Sequence, residues 1–204
     1  MEYNPSKNEI VLNRELNKLD KFVIDFCNLL DDYVLVSGYV SILFGRSRAT
    51  EDVDLLVPQM SYDKFRKLWI KINENGFECI NTDDTEEAFL ALKEHNIRFS
   101  RKGIGVPNME FKTIRNDLGM YSFKKRLKVI MKAGSLFISP IEMQIAYKLS
   151  LTSNKDLEDA KHLYVLFNEK INKEELAKLI SKFKVNDKFE IIKKEYGNKF
   201  RSIK

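Results

Sequence analysis

The seven residues from Glu51 to Val57, EDVDLLV, leave this chain little choice of local structure. Val53, Leu55 and Val57 alternate with Asp52, Asp54 and Leu56, and a period of two is the signature of a β-strand with one buried face. The same period puts Asp52 and Asp54 side by side on the other face. Two carboxylates that close repel, and each raises the other's affinity for a proton. Water on an exposed edge strand would relieve the repulsion, and so would a cation between them. Mg²⁺ is suited to the second role, because it takes one or two carboxylates and completes its shell with water and phosphate oxygens.

The residues just upstream favour a cation. The apolar run YVLV ends at Ser37-Gly38, a short helix YVSILFG follows to Gly45, and Arg46 and Arg48 stand between that helix and the acids. A Ser-Gly pair that leaves a strand and opens a helix offers free backbone N–H groups to a phosphate. Arginines suit phosphate oxygens because their planar forks bind two at once. Phosphate cradle, arginines and acid pair all fall within the eighteen residues from Ser37 to Asp54. Together they are the parts of a nucleoside triphosphate site. Thr50, just ahead of the acids, reads as a structural hydroxyl.

Patterning divides the rest of the chain in two. Leu16, Leu19, Phe22, Val23, Phe26, Leu29 and Leu30 recur at helical spacing. Ser61 caps a helix that stops at Gly76, FECIN reads as a strand, and DTEEAFLALKEHN as a helix or turn-rich excursion. IRFSRKG and NMEFKTI are further strands, and RLKVIMKAGSLFIS is a hairpin turning at Ala133-Gly134-Ser135. From Pro140 on, every segment reads as helix. The expectation is an α/β domain over residues 1–139, with its N-terminal helix, and a helical domain over 140–204 packed against it, with a site in the cleft.

Composition excludes several classes of function. Apolar runs are too short to span a membrane and the N-terminus lacks a signal-like apolar core, so a cytoplasmic protein without membrane partners is expected. Two cysteines, Cys27 and Cys79, read as buried thiols, and two histidines, His95 and His162, are too few for a zinc site of that type. Any metal must be held by oxygen. The net charge of +5 gathers in KKRLKVIMK, from Lys124 to Lys132, and in the tail KKEYGNKFRSIK. Such segments suit a polyanion, although ordinary solvated charge explains them as well.

The stretch VLVSGYVSILFGRSRATEDVDLLV resembles the signature of the nucleotidyltransferase superfamily of DNA polymerase β, and within it the AbiEii-type nucleotidyltransferases, toxins of type IV toxin–antitoxin systems. That type also carries a lysine on a helix followed by a K-D-x-x-D segment. Lys148 in IAYKLSL, and Lys155, Asp156 and Asp159 in NKDLEDA, match them in order. The likeness runs from about residue 33 to 165. It departs in reading Ser-Gly where Gly-Ser or Gly-Gly is usual, and in having Asn154 near a place where relatives often have arginine.

The resemblance implies a polymerase-β-like α/β (α+β) fold with a mixed sheet, followed by helices. It implies an enzyme that transfers a nucleoside monophosphate from a nucleoside triphosphate to a hydroxyl acceptor, using Mg²⁺ or Mn²⁺. Ser37 and Gly38 would hold the triphosphate, and Arg46, Arg48, Lys148 and Lys155 would supply positive charge. Asp52 and Asp54 would hold metal together with a third acid. Glu110, between Met109 and Phe111, is the best candidate for that acid, because a strand residue between two core residues points away from both; Asp117 is a weaker one. Asp156 or Asp159 would accept the acceptor's proton or hold Lys148 in place. Simpler roles exist for all three: Lys148 can snorkel from the core edge, and acids near a helix N-terminus are favourable in their own right. RNA or tRNA is the favoured acceptor, and a cognate antitoxin protein is a possible partner. The alternative is an idle member of the fold that serves as a binding module or antitoxin-like partner.

Overall fold

The computed structural model describes residues 1–201, with side chains through 195. The basic tail is therefore described only in part, and from Tyr196 onward its side chains lie outside the described residues. In chain order the elements are β1 (Glu2–Asn4), β2 (Glu9–Val11), α1 (Lys18–Cys27), β3 (Val34–Leu35), α2 (Gly38–Leu43) and β4 (Asp52–Val57). Then come α3 (Tyr62–Glu74), β5 (Phe77–Cys79), α4 (Thr85–Glu94), β6 (Asn96–Arg101), β7 (Asn108–Thr113) and α5 (Asp117–Lys124). Last are β8 (Leu127–Met131), β9 (Gly134–Ile138), α6 (Ile141–Ser150), α7 (Asn154–Phe167), α8 (Lys173–Lys182) and α9 (Asn186–Arg201).

Among the described residues nine strands form one mixed sheet in the order β1-β2-β8-β9-β3-β4-β7-β6-β5. Strand β4 lies inside it, antiparallel to β3 and parallel to β7. This excludes the exposed edge as the explanation of its two acids. Its apolar side chains are lost to solvent, with Val53 and Leu55 at 0% exposure and Val57 at 2%. They join an aromatic layer in which Phe26 of α1 meets Phe77 at 5.1 Å, Phe99 at 5.6 Å and Phe111 at 6.5 Å between ring centres. Such pairs add roughly 0.5–1.5 kcal/mol each beyond the area they bury.

Several sequence expectations need correction. The first helix begins after Leu16, because Asn17 caps it in a reciprocal capping box with Asp20. Two strands, β1 and β2, precede it; at three residues each they are too short to show a period. The α5 helix was not foreseen either. The β8–β9 hairpin turns at Lys132-Ala133, since Met131 already pairs with Gly134. Cys79 is only half-buried, and both cysteines are free.

Helix α6 is buried along nearly its whole length, from Ile141 to Leu149. It leaves the sheet through Ser139, whose amide donates to Leu35 O at 2.9 Å. Helix α7 packs on α2: the Phe44 and Phe167 rings meet edge to face at 4.8 Å, and His162 Nε2 lies 2.9 Å from Phe44 O. A single cluster of buried residues runs from Ile10 through the sheet to Phe167 and Ile192. No helix among the described residues is long and apolar enough to cross a membrane.

Candidate active site

Parallel pairing of β4 with β7 sets Asp52 opposite Asn108, Asp54 opposite Glu110 and Leu56 opposite Lys112. Met109 and Phe111 are fully buried on the aromatic side, so Glu110 and Lys112 share the face of Asp52 and Asp54. Lys112 Nζ lies 2.7 Å from Asp54 Oδ1 and 2.8 Å from Glu110 Oε2. Arg98, opposite Glu110 on β6, approaches Glu110 Oε1 at 3.3 Å and Asp52 Oδ1 at 3.8 Å. Asn96 Nδ2 also donates to Glu110 Oε1, and Asn108 Nδ2 donates to Asp52 Oδ1 at 2.8 Å.

The two facing carboxyls are driven apart in proton affinity. Burial pushes Asp54 up, but its hydrogen bond with Glu110, the Lys112 ammonium and the Ser37 hydroxyl together outweigh it and hold the group below the usual carboxylate range. Glu110 is held above that range by burial and by its hydrogen bond with Asp54. Burial alone would depress Lys112, but the two acids overcome it and raise its pKa.

Among the described residues no three Asp, Glu, His or Cys side chains come together as a metal-holding group. The Asp54–Glu110 pair nonetheless draws a cation, and the Lys112 ammonium stands between them where a metal ion would. Hard carboxylate oxygens with a cation already between them suit Mg²⁺ in chemistry.

Ser37 and Gly38 lie directly beside these acids, because Val36 N donates to Asp54 O at 3.0 Å. Ser37 has φ 62° and ψ −133°, a conformation side chains rarely adopt. Its hydroxyl makes no cap bond to α2 and bonds Asp54 instead. The Arg48 guanidinium lies against Gly38, where a Cβ would push the end of that side chain aside. Thr50 Oγ1 donates to Asp52 O at 2.8 Å, as a structural hydroxyl does.

The remaining predicted residues form a second cluster. Asp159 Oδ2, with no exposure, accepts from Arg48 Nη1 at 2.7 Å and Lys148 Nζ at 2.8 Å, while Arg46 Nε pairs with Oδ1 by charge alone at 3.5 Å. Lys148, 1% exposed, also reaches Asp156 Oδ1 at 3.1 Å. Ser153 caps α7 through the Asp156 amide and bonds the Asp156 carboxylate. Lys155 is exposed beside this cluster and Asp117 is exposed on the first turn of α5. Lys148 is thus a buried, doubly paired ion and does not snorkel. The two groups meet where Arg48, anchored by Asp159, lies against Gly38.

A cavity of about 440 Å³ opens beside Asp54, lined also by Ser37, Lys112, Leu118, Gln144 and Tyr147; Asp52 and Glu110 are not among its lining. Sequence reasoning missed Lys112, Arg98, Asn96 and Gln144. Lys112 was within reach, since it lies two residues beyond Glu110 on the same strand face. Nothing in the sequence marks Gln144.

No family model and no curated protein sequence matches this chain. A solved structure does: that of an antigenic nucleotidyltransferase-like protein from Paracoccidioides brasiliensis, with a TM-score of 0.52 at 18% identity. The match covers 85% of this chain and 91% of that one. At this identity the likeness shows the fold. The chain has a mixed α/β, nucleotidyltransferase-like fold.

Proposed function

From that fold, we propose that the chain transfers a nucleoside monophosphate from a nucleoside triphosphate to a hydroxyl acceptor, as an AbiEii-type nucleotidyltransferase. The observation that carries the reading is the placement of Asp54 and Glu110 in register with the Lys112 ammonium between them, Asp54, Lys112 and Ser37 lining a cavity of about 440 Å³.

Each residue then has a task. Asp54 and Glu110, with Asp52 beside them, would hold Mg²⁺ or Mn²⁺, which when bound neutralises charge on the α-phosphate and on the pyrophosphate leaving group. Lys112 gives up its place between the acids and turns to the phosphates. Ser37 and Gly38 lie against the triphosphate, and Arg48 presents a guanidinium already fixed against Gly38. Asp159 and Asp156 act as positioning residues, because both are already engaged by cations and buried too deeply to meet an acceptor. Lys148 is best read as their buried counter-ion. Arg46 lines a shallow pocket of mixed charge with Lys161 and His162, where Glu158 and Glu195 both pair with Lys161. Lys155, exposed at the start of α7, offers an RNA or tRNA acceptor a cation.

One observation favours a second reading, an idle binding module or antitoxin-like partner. Lys112 and Arg98 already neutralise much of the charge of the three carboxylates.

Label transfer separates the two. Protein, α-labelled nucleoside triphosphates, Mg²⁺ or Mn²⁺ and total RNA are incubated, with Asp52→Ala/Asp54→Ala as control. Label on RNA with wild type alone is the expected result. Label on the protein itself would point to a protein acceptor. No transfer to any acceptor would overturn the proposal in favour of the idle module.

A further inference from the structure

Two surface patches outside the candidate site carry opposite charge. The first is a groove of about 610 Å³ between α1, the segment from Arg48 to Thr50 and the loop that joins β6 to β7. Ile104 and Val106 of that loop line it and are 63% and 50% exposed. Lone exposed apolar residues are ordinary, but two such side chains on one groove form a patch. Lys18 and Lys21, exposed and three residues apart on α1, line the same groove. Neither has an ion pair among the described residues. The one acid in the lining, Asp25, is taken by Arg101. The second patch is the outer face of α4, where Glu86, Glu87 and Glu94 are exposed around Leu90, itself 54% exposed. Among the described residues none of these three acids has an ion pair. Lys93, the one cation of α4, lies over the Phe89 ring at 4.6 Å.

We propose that the groove takes α4 of a second copy of this chain, with Leu90 against Ile104 and Val106 and the α4 acids against Lys18 and Lys21. The charges are complementary, and each patch lacks a counter-charge within its own chain. Both helices lie on one side of the sheet, as a run of ring contacts shows. Phe26 of α1 meets Phe99 at 5.6 Å, and Phe99 meets Trp69 at 5.9 Å between ring centres. Trp69 meets Phe65 at 5.9 Å, and Phe65 meets Phe89 of α4 at 5.4 Å. Phe99 points away from its neighbour Arg98, so this side is the one opposite Asp54 and Glu110. Two complementary patches on one side suit a closed pair about a two-fold axis, in which each copy gives and receives a helix. The acid-bearing side of both copies stays open. A single-stranded nucleic acid suits the groove less well, because such strands stack on exposed aromatic rings and the exposed apolar side chains here are aliphatic.

Sedimentation equilibrium of the full chain tests this. Wild type should dimerise as its concentration rises, and less so as salt is added. Lys18→Glu/Lys21→Glu and Glu86→Lys/Glu94→Lys should each weaken the dimer by about a hundredfold, since like charges then face each other. Ile104→Ser should weaken it by about tenfold or more. All three are surface changes and should melt close to wild type. An equimolar mixture of the two charge-reversed variants should pair again, because each groove then meets an α4 of opposite charge. A wild type that stays monomeric throughout overturns the inference. So does a dimer that neither reversal weakens, which must use another surface, or a mixture that does not pair. Salt-sensitive binding of a labelled oligouridylate, abolished by Lys18→Glu/Lys21→Glu in the absence of any dimer, overturns it in favour of RNA.

Discussion

Lys112 Nζ and Asp54 Oδ1 lie 2.7 Å apart on neighbouring parallel strands, and the same ammonium reaches Glu110 Oε2 at 2.8 Å. The acidic strand is thus an interior strand whose charge is met by a lysine from the next strand. The fold treats the two strand acids differently: Asp54 meets a cation that it shares with Glu110, while Asp52 stays half in water.

Replacing Lys112 with methionine should hand that task to solution ions. The variant should lose about 1 kcal/mol or less without divalent metal, since Lys112 is partly solvated. Mg²⁺ or Mn²⁺ should then raise its melting temperature more than that of wild type. Equal responses of the two proteins in thermal melts would show that Lys112 and a metal do not share a position.

Asp159→Asn should be among the most damaging single changes in the chain. It leaves the buried Lys148 with Asp156 alone and takes the shared carboxylate from Arg46 and Arg48, which are only partly exposed. Breaking a buried ion pair from one side costs about 3–5 kcal/mol. Asp52→Asn is the contrast, because Asp52 is half-exposed, its ion pair with Arg98 is long, and the Asn108 amide that donates to its Oδ1 can donate as well to an asparagine oxygen. Its effect in urea unfolding should stay within about 1 kcal/mol.

Asp156 sets a pH dependence. Burial pushes its carboxyl up, but the Ser153 hydroxyl and the Lys148 ammonium outweigh burial and hold it below the usual carboxylate range. A group depressed in the folded state stabilises above its unfolded pKa, about 3.9 for aspartate, and loses that contribution as pH falls through the folded value. The melting-temperature gap between wild type and Asp156→Asn should therefore be widest above about pH 5 and narrow steadily below about pH 4. A gap independent of pH would remove the assignment.

The Ser37-Gly38 pair yields opposite expectations for two small changes. Gly38→Ala pushes the end of the Arg48 side chain aside and should cost about 1 kcal/mol, the low end for an inserted methyl group, together with triphosphate affinity. Ser37→Gly relieves a positive φ at a residue with a side chain, which releases about 1 kcal/mol, less the hydroxyl's bond to Asp54. Denaturant unfolding with parallel nucleotide binding reads both.

Local patterning determined much of this molecule. A period of two in EDVDLLV and NMEFKTI is enough to put Asp52, Asp54 and Glu110 on the wet faces of strands, because a strand residue flanked by core residues has only one way to point. The start of α3 was legible for the same local reason: Ser61 accepts from the amide three residues on. What the chain order could not express was adjacency between distant segments. The parallel register that sets Glu110 and Lys112 beside β4 joins residues more than fifty positions apart. The claim of Asp159 on Arg48 crosses 111 positions. Lys148 read as a phosphate ligand from its motif, and only the packing of α6 and α7 shows it buried between two acids. Gln144 is one of three buried polar side chains on α6, with Glu142 and Lys148, and only the packing shows that it borders a cavity. Periodicity decides which way a side chain points, and tertiary packing decides what it meets there.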